Sequence, residues 1–169
     1  MKRVISILVG VVAASLCSCG YHLGGIKPDN MQNMNTFCVD VFENNTVQPG
    51  AGMLMTSAMT NALQSDGTYK LASRSEADFI VSGAVTQIER DSIMTSSEDS
   101  YVSKQLQIEV HVKYNVTDRR TGKKLSASEI EERADFFNSI GSTQNSMEVA
   151  LSYALRRAAD SITLLLTNQ

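Results

Sequence analysis

Cys19 is the residue whose type and setting most directly specify chemistry. It stands in Leu16-Cys17-Ser18-Cys19-Gly20, behind the basic pair Lys2-Arg3 and the apolar run Val4 to Leu16. A positive start, a short apolar stretch and a small-residue cleavage site are the marks of a secretion signal. The run is too short to span a bilayer, which takes about 20 apolar residues. A thiol at such a cleavage point can be alkylated by a diacylglyceryl group and, once it is the first residue, acylated on its amine. The expectation is a cleaved signal peptide over 1–18 and a covalent N-acyl diacylglycerol with palmitate-like chains on Cys19, with no other cofactor. Cys17 leaves with the leader, so Cys38 has no intrachain partner and no disulfide framework forms. Cys38 lies in an apolar run and reads as a small buried hydrophobe. Gly20 is not the aspartate that commonly marks inner-membrane retention, which favours an outer-membrane lipoprotein on the periplasmic side.

The remaining reactive residue types are sparse. The two histidines are His22, beside the lipid site, and His111, on a polar strand face between Glu109 and Lys113. A charged, solvated strand face accounts for those three without catalysis. No Cys/His spacing suits a metal. Pro49-Gly50-Ala51-Gly52 opens a helix but lacks the lysine of a phosphate loop. The protein is therefore read as a non-enzyme. Its net charge is −3, falling to −5 once Lys2 and Arg3 depart, which argues against nucleic acid as a partner. The concentrated basic group is Arg119, Arg120, Lys123 and Lys124, around a turn. Lys104 is the nearest cation to the opposite, acidic tip at Ser96 to Asp99.

Elements must hold these groups in place. Residues 19–35, with Gly24, Gly25 and Pro28, read as a lipidated tether with little regular structure, and 36–169 as a single domain. Thr36 to Phe42 reads as a strand with Phe37, Val39 and Val41 on one face. Ala51 to Ser65 reads as a helix with the stripe Ala51, Leu54, Met55, Ala58, Met59 and Ala62, stopped by Gly67. Asp78 to Ile93 is the second strand. Leu106, Ile108, Val110, Val112, Tyr114 and Val116 alternate with polar residues and form the clearest strand. Asp118 to Gly122 is a hairpin turn. Lys123 to Phe137 is the fourth strand, with a bulge expected near Ser128 to Glu129 where its apolar phase slips. Ser142 to Asn168 is a helix with Met147, Leu151, Ala154, Leu155, Ala158, Ile162 and Leu165 inward. The order β-α-β-β-β-α predicts an α+β fold, a four-stranded mixed sheet with two helices packed on one face. A right-handed crossover makes the first two strands parallel. It puts the tether and the basic turn at one end of the sheet.

Cys19-Gly20-Tyr21-His22-Leu23, the Ala134-Asp135-Phe136-Phe137 strand end, Arg157-Ala158-Ala159-Asp160 and the element order together resemble the LptE family. The resemblance covers the whole mature chain. It implies a lipid-anchored plug and assembly partner of LptD, the outer-membrane β-barrel that inserts lipopolysaccharide in the outer leaflet, with lipopolysaccharide itself as a further contact. About a third of the mature chain is Ser, Thr, Asn or Gln, which suits a polar barrel interior. Family contacts with lipopolysaccharide phosphates would be sought at the distal tip, where this chain is acidic, with Lys104 the nearest cation; the basic turn could instead meet anionic head groups or partner carboxylates. Phe42-Glu43-Asn44-Asn45-Thr46 before a helix also resembles lipoproteins that activate peptidoglycan synthases or build secretion channels, which is the alternative reading.

Overall fold

The computed structural model describes residues 25, 27–92, 104–138 and 143–167. The lipid-site expectation at Cys19 falls outside them. Strands are β1 (Thr36–Val39), β2 (Glu43–Asn44), β3 (Lys70–Leu71), β4 (Phe79–Ser92), β5 (Lys104–Asp118) and β6 (Lys124–Asn138). Helices are α1 (Ala51–Asp66), between β2 and β3, and α2 (Thr143–Thr167), after β6. Among the described residues no helix is long and apolar enough to cross a membrane.

The fold is α+β with a mixed sheet and two helices, but the sheet has six strands rather than four, ordered β3-β1-β4-β5-β6 with β2 also on β4. The two additional strands, β2 and β3, are two residues each, too short to carry any periodicity. β1 runs parallel to β4 and the β4-β5-β6 meander is antiparallel, as the crossover rule requires.

β1 and β2 lie along the same edge of β4 and are separated by a bulge. Val39 faces Val81 and Glu43 faces Ala84, so the chain carries one extra residue across the gap. The extra residue inverts the inward phase. Val41, expected inside, is 72 % exposed, and Phe42 takes the core position instead. The Phe42 N–H is held by Thr56 Oγ1 at 2.9 Å. In α1 the stripe is rotated from the expected one: Gly52 and Leu63 are buried and Leu54 is 41 % exposed. In α2, Leu166 replaces Leu165 in the core. Gly67 stops α1 at φ 78, its N–H donating to Leu63 O.

The alternation read in β5 holds from Ile108 to Val116, all of whose even-numbered residues are buried. β4 keeps its apolar face through a bulge at Thr86: Val85 faces Val112, and Ile88 faces Val110. In β6 the irregularity lies at Leu125, between the Thr117–Lys124 and Val116–Ser126 pairs, and not at Ser128 to Glu129. Ala127 is exposed, so Leu125 alone is out of phase and one inserted residue is enough. One core fills the space between the sheet and both helices. Within it, Tyr69 meets Phe79 edge-on at 4.9 Å and donates its hydroxyl to Leu166 O at 3.0 Å. Burial, and then the Asp66 carboxylate, push the Tyr69 phenol up to about 12. Met31, within the stretch read as a tether, is buried in the same core after a single 3-10 turn, Asp29–Met31.

The start of β1 is fastened by Asp78. Its Oδ2 accepts from Asn35 N (2.8 Å), Thr36 N (3.1 Å) and Thr36 Oγ1 (3.0 Å). The Asn35 N–H, followed by the Thr36 donors, holds the Asp78 carboxyl below the usual aspartate range against the opposing effect of burial. Asp78→Ala is expected to cost about 1.5 kcal/mol at pH 7, the low end for hydrogen bonds to a charged group because the site is partly solvated. A depressed folded pKa stabilises fully above the unfolded value of about 4 and is lost as pH falls through the folded one. The gap between wild type and Asp78→Ala should therefore close between about pH 4 and the depressed folded value. Urea denaturation across that range measures it; a gap that stays constant would mean the carboxylate charge is not what holds β1.

Candidate functional site

One sheet face is covered by the helices, and the other is open. On the open face of β5 and β6, strand register places four polar pairs directly opposite one another: Gln107 with Asp135, Glu109 with Arg133, His111 with Glu131, and Lys113 with Glu129. Opposed residues across antiparallel strands are the natural contact pairs of a sheet. Gln107 Nε2 donates to Asp135 Oδ1 at 2.8 Å. Arg133 grips Glu109 in bidentate fashion, Nε to Oε2 at 2.7 Å and Nη2 to Oε1 at 3.1 Å. His111 lies between Glu109 (3.5 Å) and Glu131 (3.6 Å), and Lys113 stands 3.6 Å from Glu129.

Glu109 is the centre of this ladder. Its side chain is only 12 % exposed, walled by its neighbours on the flat face. The Arg133 guanidinium, and less strongly His111, hold its carboxyl below the usual range. The ladder sets two permanent cations, Arg133 and Lys113, among four carboxylates, so it stays acidic and leaves a face rich in hydrogen-bonding groups. Beside it, a shallow groove of about 410 Å³ is lined by Asp40, Ser82, Gly83, Lys113 and Asn115, among others. The Asn115 Oδ1 is buried there with no protein partner.

The His111 ring has a carboxylate on each side, Glu109 and Glu131, and the Thr86 hydroxyl beside it donates to the His111 main-chain carbonyl at 3.2 Å and not to the ring. Among the described residues no group of three or more His, Cys, Asp or Glu could hold a metal ion. Cys38, expected to be a buried hydrophobe, is half-buried; burial, then the Asp40 carboxylate, push its thiol up, which makes it a poor nucleophile.

The structure separates the basic residues into two groups. Arg119, Arg120, Lys123 and Lys124 lie together at the end where β1 begins. Lys104 opens β5 at the far end, roughly 50 Å away along the strand at about 3.3 Å per residue; its side chain lies outside the described residues. Arg119 is engaged by the fold, with Nε donating to Ala77 O at 2.6 Å and its backbone N–H to Asp78 O. Asp118 closes the turn by accepting from Arg120 N and Thr121 N. Arg120, Lys123 and Lys124 remain exposed. Asn30 Nδ2 donates to Leu125 O at 2.9 Å, so the incoming chain lies beside this basic turn.

Sequence reasoning identified Glu109, His111 and Lys113 as a charged face but missed Arg133, Glu131 and Glu129 as their partners, and Asp135 as that of Gln107. A signal existed: the order of charges along β6 is the antiparallel complement of β5, provided the register is known.

A family model described as LptE, lipopolysaccharide-assembly, matches residues 34–166. No curated protein matches the chain. Among solved structures, protein XCC0632 from Xanthomonas campestris, of family-model DUF330, is similar at a TM-score of 0.56 and 10 % identity, over 87 % of this chain and 88 % of that one. The PelC dodecamer from Paraburkholderia phytofirmans is similar at 0.50 and 17 %, over 80 % and 92 %. Rare lipoprotein B from Shewanella oneidensis is similar at 0.47 and 16 %, over 76 % and 90 %. At these identities the likeness is one of fold alone, and the first two structures carry it.

Proposed function

The chain belongs to the LptE family of lipopolysaccharide-assembly proteins, and from that premise we propose that it is an outer-membrane lipoprotein, lipidated at Cys19, that serves as plug and assembly partner of an LptD-like β-barrel. The observation that supports this most is the cross-strand ladder of paired polar groups on the open sheet face. Large barrels have polar interiors. A protein seated in one must bury polar surface without stranding charges, because an unpaired buried charge costs several kcal/mol. Glu109–Arg133 and Lys113–Glu129 arrive already paired and His111 stands beside Glu131, so the two permanent cations of the face can be desolvated with their charges matched. In this reading the basic turn stands at the anchored end, close to lipid head groups, and lipopolysaccharide is met through the barrel rather than by the domain alone.

Affinity purification of the full-length protein from solubilised outer membranes tests this. The expected result is recovery of one large β-barrel, with mass spectrometry showing a triacylated Cys19 at the mature N-terminus. Arg133→Glu, which sets like charges face to face at the centre of the ladder, should weaken recovery about tenfold, and the swap Glu109→Arg with Arg133→Glu should restore it. Recovery of a periplasmic peptidoglycan synthase or a secretion channel in place of the barrel would favour the alternative. An intact leader would remove the anchor from the account.

A further inference from the structure

The two edges of the sheet are managed in opposite ways. At one edge β3 has two residues, a common way of blunting an edge against unwanted pairing. At the other, β6 runs for 15 residues, and among the described residues no strand lies beyond it. Of the usual protective devices, lysine and a bulge are confined to its start, at Lys124 and Leu125, and the charges farther along are mostly acidic, at Glu129, Glu131, Glu132 and Asp135 with Arg133. From Ser126 to Asn138 there is neither lysine nor proline. Alternate residues of this stretch aim their N–H and C=O groups away from β5.

Beside this edge α2 leaves a groove of about 620 Å³, lined by Ile130, Glu132, Ser161, Leu164 and Leu165, with Glu129 and Glu131 at its rim. Leu164 is 54 % and Leu165 40 % exposed. Glu132 is already occupied, by Ser161 Oγ at 2.6 Å and Arg157 Nε at 3.2 Å. The groove therefore has a hydrogen-bonding strand edge on one side and an apolar helix wall on the other. That combination suits an extended segment added as a further strand, with main-chain bonds supplying affinity and alternate side chains entering the groove.

We propose that the β6 edge and the α2 groove together dock an extended segment of a partner protein in which apolar and basic residues alternate. Its apolar side chains lie against Ile130, Leu164 and Leu165. Its basic side chains, on the opposite face, stand beside Glu129 and Glu131. The charge pattern also disfavours a second copy paired about the groove: antiparallel self-pairing centred on Ile130 sets Glu129 against Glu131, and like charges across strands are unfavourable. The docking site shares Glu129 and Glu131 with the open-face ladder, but it is defined by the main-chain edge of β6 and the Leu164–Leu165 wall, which the barrel reading does not use.

The probes are two nine-residue peptides with blocked ends, one alternating valine and lysine, the other valine and glutamate. They are added to the isotope-labelled full mature chain, and amide exchange is followed by NMR. The valine–lysine peptide is expected to slow exchange about tenfold or more at alternate amides between residues 126 and 135, with little effect from the glutamate peptide. N-methylation of the valine–lysine peptide at alternate residues should abolish the protection. Leu164→Asp with Leu165→Asp, at exposed positions that leave the core intact, should weaken binding about tenfold. Absence of protection on β6, equal protection by both peptides, or protection confined to the open face would each overturn the proposal. Because barrel recovery is measured separately, failure of one claim is distinguishable from failure of the other.

Discussion

Phe42→Ala is expected to lower the unfolding free energy by about 3–5 kcal/mol, the range for removing a buried aromatic ring without collapse of the site. Phe42 is buried in the core, and its ring lies against Gly83, whose hypothetical Cβ would stand 2.5 Å from Phe42 Cε1. The absence of a side chain at residue 83 makes the seat for the ring, and a glycine cannot refill it once the ring is gone. Guanidinium denaturation of the soluble domain reads the effect as a lower midpoint with an unchanged slope. A loss under about 1 kcal/mol would mean that the bulge between β1 and β2 lets the chain slip back and insert Val41 instead.

Gly52→Ala should be costly for a different reason. A Cβ at residue 52 would stand 2.3 Å from Phe42 O, a backbone atom that cannot rotate aside. Overpacking of this kind costs typically 1–3 kcal/mol, whereas alanine in a helix gains about 1 kcal/mol over glycine. A contact this short against backbone places the clash at the upper end of its range, so a net loss of about 2 kcal/mol is expected. Because the obstacle is the Phe42 carbonyl and not its ring, Phe42→Ala should give Gly52→Ala no relief. The double variant should be at least as unstable as the sum of the singles. Measured relief in that double variant would show that α1 rests on the ring and not on the main chain.

These two sites mark where the sequence was legible and where it was not. The alternation from Ile108 to Val116 identified β5 because each side chain there is decided by one local rule, period two with one wet face. The helical stretches were legible in the same way, but their inward faces were assigned part of a turn away from the observed ones. Leu54 and Leu165 satisfied the periodicity as well as Leu63 and Leu166 did, and only contact with a particular neighbour separates them. β2 and β3 were invisible because two residues carry no pattern; they are strands only because β4 and β1 offer them an edge.

The candidate site was half legible. Glu109, His111 and Lys113 could be placed on a polar face from their spacing alone. Their partners could not, since a bulge at Ser128–Glu129 and one at Leu125 pair β6 with β5 differently, and a one-residue slip sends side chains to the other face. The observed register, with Glu109 opposite Arg133 and Lys113 opposite Glu129, is where charge matching and burial of Ile130 and Ala134 agree.

By itself the sequence determined the secretion-signal pattern ahead of Cys19, the α+β element order, the parallel crossover and the acidic balance of the chain. Each of those depends on residues that are neighbours along the chain or on a rule of chain handedness. The bulge that exchanges Val41 for Phe42, the charge ladder of the open face and the open edge of β6 were decided only by the tertiary structure. Each depends on which residue stands across from another strand, and a bulge of one residue, costing little locally, resets every such pairing beyond it.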